Sequence, residues 1–316
     1  MRGFARGGAF TGVKIFITGA TGFVGREVSS LLRSAGHGIR ILARNPDTPR
    51  ARDLVSKFNA EVHPGDVTNA DSLRGALRET DAVIHLVGII SEIGNSTFEN
   101  IHTRGTENMV RAAREQGVKR FVHMSALGTR PNAISRYHRS KWAAEESVRA
   151  SGLDVTIFRP SLIYGPGDGF VNLFARIIRL SPIVPVLGRK DALFAPLPVQ
   201  PVAKAFVRAA TERAGIGRSF DLCGHERLTL SRIIDGICSV LGKRRFKVHV
   251  PNGLARFQAT LLEWFFPAVL KQPPPLNHDQ LVMLQEDNLG DPQPAQELFG
   301  LTLPGFKEGI STYLRR

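Results

Sequence analysis

Short β-branched or apolar runs alternate with helix-period segments through the first half of the chain. Residues 13–18, 38–43, 60–63, 81–86, 120–124 and 154–158 read as strands, most of them bounded by Gly, Asp or Pro. Between them, residues 23–35, 71–78, 98–115 and 135–150 carry apolar positions at helical spacing. This alternation predicts an α/β fold, a doubly wound parallel sheet of Rossmann type with helices on both faces. After about Tyr164 the texture changes. Proline and glycine become frequent (Pro166, Pro182, Pro185, Gly188, Pro196, Pro198, Pro201), and helical patterns return at 202–211 and 230–241. A proline-rich break follows at 271–276. The expected organisation is a nucleotide-binding domain over 13–168 and a smaller C-terminal lobe over 169–316, with some segments returning to the main domain.

Directly after the first predicted strand comes Gly19-Ala20-Thr21-Gly22-Phe23-Val24-Gly25, and a helical pattern begins at once. Glycines here permit the tight turn, close approach of backbone N–H groups to a pyrophosphate, and close helix–strand packing, while the helix N-terminus carries partial positive charge. A glycine trio gains its force from this strand-to-helix context. No Gly-Lys-Ser/Thr follows, which argues against an ATP-type loop. Chains that bind NAD place a carboxylate at the end of the second strand to hold the ribose 2′-hydroxyl. This chain reads Arg40-Ile41-Leu42-Ala43-Arg44-Asn45-Pro46 there, with the first carboxylate at Asp47. A guanidinium at Arg44 suits a 2′-phosphate, so NADP(H) is favoured over NAD(H).

The fifth strand runs into Met124-Ser125-Ala126, and Ser135-Arg136-Tyr137-His138-Arg139-Ser140-Lys141 opens the next helix. Tyr137 and Lys141, four apart, project from one helical face. An ammonium beside a phenol favours phenolate and is expected to lower its pKa from the usual value near 10. Such a tyrosine serves as general acid or base, and Ser125 at a strand end is placed to hold the reacting oxygen.

These motifs, in this order, resemble the extended, epimerase-like branch of the short-chain dehydrogenase/reductase superfamily. In that family the glycine loop matches Gly19, Gly22 and Gly25, the adenine-side Asp and its apolar neighbour match Asp66-Val67, and the segment flanking the cofactor matches Leu86-Val87-Gly88. The triad matches Ser125, Tyr137 and Lys141, and the nicotinamide-side turn matches Pro160-Ser161 with Tyr164-Gly165-Pro166. His85-Leu86-Val87-Gly88-Ile89, the run 117–126, and Tyr164 to Asp168 look most like bacterial relatives of the nucleotide-binding accessory subunit of respiratory complex I. The chain departs from the family at His102, where many extended members carry Asn, and at 196–202, which usually carries an Asp-Val pair. The resemblance implies an oxidoreductase moving hydride to or from a carbonyl or alcohol carbon of a small-molecule substrate. A non-catalytic accessory subunit and a nucleotide-sugar epimerase or dehydratase are its alternatives.

Composition narrows the picture further. The 316 residues carry 42 Lys+Arg against 28 Asp+Glu, a formal charge of +14. The length suffices for a core without disulfides or metals. Cys223 and Cys238 cannot form a disulfide framework, which suits a reducing compartment and a cytoplasmic protein. The nine histidines show no metal-ligand spacing, so no metal site is expected. The basic run Lys243, Arg244, Arg245, Lys247 has no aromatic interleaving, and no nucleic-acid partner is expected. Residues 1–12 read as an extension without a signal-peptide core. Residues 254–270 (LARFQATLLEWFFPAVL) are too short to span a bilayer but apolar enough for a core helix, a lid over an apolar, quinone- or isoprenoid-like substrate, or a peripheral surface on the inner face of a membrane.

Overall fold

The computed structural model describes residues 12–212 and 214–315; the extension expected over 1–12 lies, up to residue 11, outside the described residues. Seven parallel strands form the central sheet: β1 (Lys14–Thr18), β2 (Gly38–Ala43), β3 (Glu61–Pro64), β4 (Ala82–His85), β5 (Arg120–Met124), β6 (Asp154–Pro160) and, from the second half of the chain, Arg218–Leu222. Their order is Arg218–Leu222, β6, β5, β4, β1, β2, β3. The order reverses between β1 and β4, which are neighbours with Ile15 opposite Ala82 and Thr18 opposite His85. A crevice therefore opens beyond their carboxyl ends, where ligands of doubly wound sheets bind.

The inner strands β1, β2, β4, β5 and β6 are largely buried on both faces because helices cover both, while the two edge strands are partly exposed. Along β1, Ile15 and Ile17 face a core shared with Val24, Val28 and Leu32 of α1 (Phe23–Ser34), while Phe16 faces the opposite core with Met109 and Ala113. Helix α2 (Pro49–Phe58) was not legible as a helical pattern, since only Ala51 and Leu54 are buried; Thr48 caps it through Ala51 N–H and proline opens it. The helix expected at 71–78 is only a short 3-10 turn, Ala70–Leu73. Gly75 at φ 71° and Glu79 at φ 58° turn the chain out of right-handed helix there. The pattern at 98–115 divides into a π-helical turn, Glu99–Arg104, and α3 (Gly105–Glu115). Helix α4 (Arg136–Arg149) follows β5.

The second half supplies α5 (Val171–Leu180), α6 (Val199–Thr211), α7 (Leu230–Val240), α8 (Asn252–Phe265), α9 (His278–Met283), α10 (Gln293–Phe299) and α11 (Phe306–Leu314). Two of these serve the main sheet: α6 packs against α1 and the strands, and Phe299 of α10 meets Phe158 and Phe220 edge-on. Helices α5, α7 and α11 build a second core that encloses Tyr164, Ile178, Ile233 and Ile310, and α8 and α9 meet in a small separate cluster. The second core's short parallel ladder sets Phe246 to His249 against Ile183 to Val186.

Close packing of α1 on β1 requires glycine at one point. A Cβ at Gly25 would lie 2.3 Å from the Gly19 carbonyl oxygen and 2.5 Å from Ala20 Cα, both backbone atoms that cannot swing aside. Gly25→Ala should therefore destabilise the fold by about 1–3 kcal/mol and lower the melting temperature even without cofactor. An unchanged melting temperature in a thermal scan contradicts this packing.

Candidate active site at the carboxyl edge of the sheet

The loop after β1 turns on Gly19, at φ 75°, and closes with the Gly22 N–H donating to the Gly19 carbonyl at 3.0 Å. Helix α1 begins at Phe23 with Gly22 as its cap; no side chain caps it and no acid stands in its first turn. Its first N–H groups are thus left to an external acceptor, and with the helix dipole they fit a phosphate. Thr21 and Phe23 are partly exposed beside this turn, and Val24 anchors it in the core. A Cβ at Gly19 would meet Leu86 and Val87 backbone at 3.0–3.1 Å, so the loop leans on the end of β4. The Phe23 ring reaches to Gly165, whose Cβ would lie 3.2 Å from Phe23 Cζ.

Past Leu86 and Val87 the chain reaches Gly88, which bridges to the other half of the site. A Cβ there would sit 3.3 Å from Lys141 Nζ and 3.5 Å from His102 Nε2. Lys141 is 2% exposed, and its ammonium donates to the Met124 carbonyl at 2.9 Å, at the end of β5. Burial pushes its pKa down to about 8, with Glu145 one turn along α4 opposing the shift. Tyr137 stands one turn before it on the same helix, edge-on to His102 at 5.3 Å and to Phe98 at 5.9 Å. Its phenol does not follow the expectation from sequence. Burial, and after it the Asp279 carboxylate, push it up to about 12.

His102 lies in the π-helical turn and is almost fully buried. Its Nε2 accepts the Ile89 N–H at 3.0 Å, which fixes the proton on Nδ1, 2.8 Å from Ser140 Oγ. The Ser140 hydroxyl donates in turn to the Tyr137 carbonyl at 2.7 Å. Burial, Lys141 and His85 hold this imidazole neutral, at about 2. His102 thus makes a polar link between the loop after β4 and α4. His85 and His123 stack at 5.6 Å beneath the site, and His85 lies 2.7 Å from Thr18 Oγ1 and 3.1 Å from Thr106 Oγ1. No cluster of metal-ligating side chains occurs among the described residues.

Ser125 is buried, with its backbone N–H on the Phe158 carbonyl. Its hydroxyl donates to Thr129 Oγ1 at 3.4 Å. Glu145 is fully buried, pinned by Arg159 at 2.8 and 2.6 Å and by Arg149 at 2.9 Å. These partners outweigh its desolvation and keep it below the usual carboxylate range. The Ser125 hydroxyl is therefore engaged by Thr129 rather than facing open space. Pro160 and Ser161 continue β6 at the same edge: the Pro160 carbonyl accepts Leu127 N–H, and Ser161 bonds Asn288.

At the far side of the glycine loop, Arg44 is exposed at the end of β2, and among the described residues no hydrogen bond or ion pair involves it. The Asp66 carboxylate accepts from Thr68 N–H and Oγ1 at 2.9 Å, and Val67 packs onto Gly105. A glycine cradle, an uncapped helix N-terminus and an unpaired guanidinium fit a dinucleotide with its pyrophosphate at α1. Sequence reasoning missed Asp279. Its two carboxylate oxygens accept Arg136 N–H at 2.7 Å, Tyr137 N–H at 3.0 Å and the Ser135 hydroxyl at 2.7 Å, capping α4 from a segment 142 residues downstream.

Residues 19–172 match the family model described as NAD(P)H-binding. The chain is 32% identical to the ceramide reductase of Caulobacter vibrioides, over 75% of this chain and 74% of that one. It is 27% identical to the mitochondrial NADH dehydrogenase [ubiquinone] 1 alpha subcomplex subunit 9 of Arabidopsis thaliana, over 88% of this chain and 71% of that one. The fold matches the NADPH-dependent quinone oxidoreductase QOR2 of Escherichia coli, solved with NADPH, at TM-score 0.74 and 20% identity, covering 94% of this chain and 99% of that one. Taken with the ordered motifs and the seven-stranded parallel sheet, these likenesses establish that the chain belongs to the extended short-chain dehydrogenase/reductase superfamily.

Proposed function

We propose that the chain binds NADP(H) and works as an oxidoreductase on the carbonyl or alcohol carbon of an apolar, quinone-, isoprenoid- or long-chain substrate. The observation that carries this reading is the pairing of Tyr137 with a buried Lys141 on one face of α4, reached from the glycine loop through Leu86 to Gly88. NADPH, when bound, supplies the hydride. Arg44 holds the 2′-phosphate, and the N–H groups opening α1 hold the pyrophosphate. Lys141 binds the nicotinamide-side ribose. Tyr137 gives a proton to the substrate oxygen or takes one from it.

A phenol at about 12 remains protonated through the neutral range, so Tyr137 is held there in its proton-donating form. Ser125 orients the substrate oxygen only after its hydroxyl turns from Thr129, so its share in the chemistry is smaller than that of Tyr137. The apolar class of substrate rests on the 32% identity to a ceramide reductase and on the exposed apolar run at 254–270. A second reading is a cofactor-holding accessory subunit in an assembly of the complex I type. It is favoured by the length of the likeness to the Arabidopsis subunit and by the engaged Ser125 hydroxyl.

NADPH oxidation against a panel of apolar ketones and quinones separates the two readings. Tyr137→Phe should lower kcat about 100-fold or more while leaving NADPH affinity within about twofold. Turnover equal to the unsubstituted protein removes Tyr137 from the mechanism. Tight NADPH with no turnover on any substrate favours the accessory role.

Arg44→Ala should weaken NADPH about 10- to 100-fold and leave NADH unchanged, as read by fluorescence titration of both nucleotides. Equal loss for the two cofactors, or none, contradicts the 2′-phosphate assignment.

Because Lys141 titrates near pH 8 in the free protein, kcat/KM for NADPH should hold level below pH 8 and fall as pH rises through that value. The falling limb should be absent from the residual activity of Lys141→Met. A limb that persists in the variant belongs to another group.

A further inference from the structure

Helix α8 and the π-helical turn after it, Phe266–Leu270, carry two apolar faces. Ala255 and Ala259 are buried against Leu281, Leu187, Val250 and Leu276, and Leu262 and Phe266 are partly buried at the same angular setting. Leu254, Phe257, Leu261, Trp264 and Phe265 fall within about 100° of arc on a nearly opposite side. All five are exposed, Phe257 by 61% and Trp264 by 70%. Val269 and Leu270 extend this stripe, and nothing among the described residues covers it. A surface helix normally turns a polar face outward, and a contiguous aromatic and aliphatic stripe marks an interaction surface.

The neighbouring ladder repeats the pattern. Phe246 pairs in register with Ile183, and both are exposed, as is Val248 two residues on. From Lys243 to Lys271 the chain holds Lys243, Arg244, Arg245, Lys247, Arg256 and Lys271 against a single acid, Glu263. That acid is committed to His278 at 2.7 Å. Lys243, Arg244, Arg256 and Lys271 have no acidic partner among the described residues.

We propose that α8, the turn after it and the Phe246 ladder form a docking surface for an anionic lipid bilayer, on which α8 lies in the plane of the headgroups with Trp264 and Phe265 inserted. The charge pattern selects this occupant. Exposed aromatics flanked by unpaired cations suit an interface that is apolar below and negative at its surface. A two-fold contact with a second copy would set the same cations against one another. No helix among the described residues is long and apolar enough to cross a membrane, so the element lies on the bilayer.

Its attachment gives the docking a consequence. After Leu270 the chain returns to the site. The Pro274 carbonyl faces Ser91 Oγ at 3.4 Å, and Asn277 donates to the Ile90 carbonyl at 2.8 Å and to Ser91 Oγ at 2.7 Å. Asp279 caps the helix that bears Tyr137. The proposed membrane element is therefore tied to the rim of the site, where an apolar molecule leaving the bilayer would arrive. The docking itself does not depend on which reading of the site is correct.

The test is co-sedimentation of the full chain with phosphatidylcholine vesicles, with and without phosphatidylglycerol, at low and high salt. The unsubstituted protein should bind the anionic vesicles about tenfold better than the neutral ones and lose most of this at high salt. Trp264→Glu/Phe265→Glu should lose binding about tenfold or more while keeping its NADPH affinity and melting temperature. Because these side chains are exposed, folding should survive; quenching of tryptophan emission by brominated lipids in the unsubstituted protein gives a second reading without substitution. Failure of the unsubstituted protein to bind overturns the proposal, as does binding unchanged by the double substitution. So does a solution dimer that the double substitution converts to monomer. NADPH affinity and turnover of a water-soluble ketone, measured in the same double variant, report on the site separately.

Discussion

A lysine ammonium that is 2% exposed must find partners, and the site is arranged around that requirement. Nζ takes the Met124 carbonyl at the end of β5, and Gly88 leaves room above it where any side chain would press on the amine. The same burial that makes Lys141 costly to charge also brings it into the range where it can change charge near neutral pH. One turn further on, Glu145 is equally buried but accepts three charge-assisted hydrogen bonds from two arginines, so it stays ionised and holds α4 against β6 through Arg159. One face of a single helix thus holds an adaptable charge above a fixed one. The difference between them is the number of hydrogen-bond partners each has.

What could be read from the sequence was what short-range geometry determines. Gly19, Gly22 and Gly25 announce themselves because a strand, a tight turn and a helix follow within a dozen residues. Tyr137 and Lys141 share a helical face by spacing alone. The strands of the first half were found to within a residue or two, most of them because both of their faces are buried; β3, at the sheet edge, is partly exposed. Where non-local contacts decide the outcome, the sequence is silent. Arg218–Leu222 reads as a polar, interrupted run, yet it completes the sheet beside β6 with Phe220 opposite Phe158. The segment 71–78 has helical periodicity, yet it stops after one 3-10 turn as the chain turns left-handed at Gly75 and Glu79.

The phenol of Tyr137 shows the same division more sharply. Spacing alone argues that Lys141 should make it more acidic. Burial and the Asp279 carboxylate make it less so. Asp279 has no local pattern to mark it; it matters because α9 folds back over the start of α4 and gives the first N–H groups of that helix a charged cap. A carboxylate at a helix N-terminus satisfies otherwise unpaired donors and complements the dipole. Here it also adds negative charge near the phenol, so one side chain both steadies the backbone of Tyr137 and makes its proton harder to remove.

That double role explains why the C-terminal half cannot be treated as a separate attachment to a nucleotide-binding domain. Its contributions to the main body are specific. Helix α6 completes a sheet face, Phe299 seals the aromatic cluster beside β6, Asn288 holds Ser161, and Asn277 with Asp279 fixes the rim around Tyr137. The α8 excursion, between Pro251 and Pro274, by contrast leaves much of its apolar surface exposed. Its two ends are held by the lobe's short ladder and by the active-site rim. Asn277 and Asp279 thus connect the end of that excursion to the loop after β4 and to the first turn of the helix that holds Tyr137.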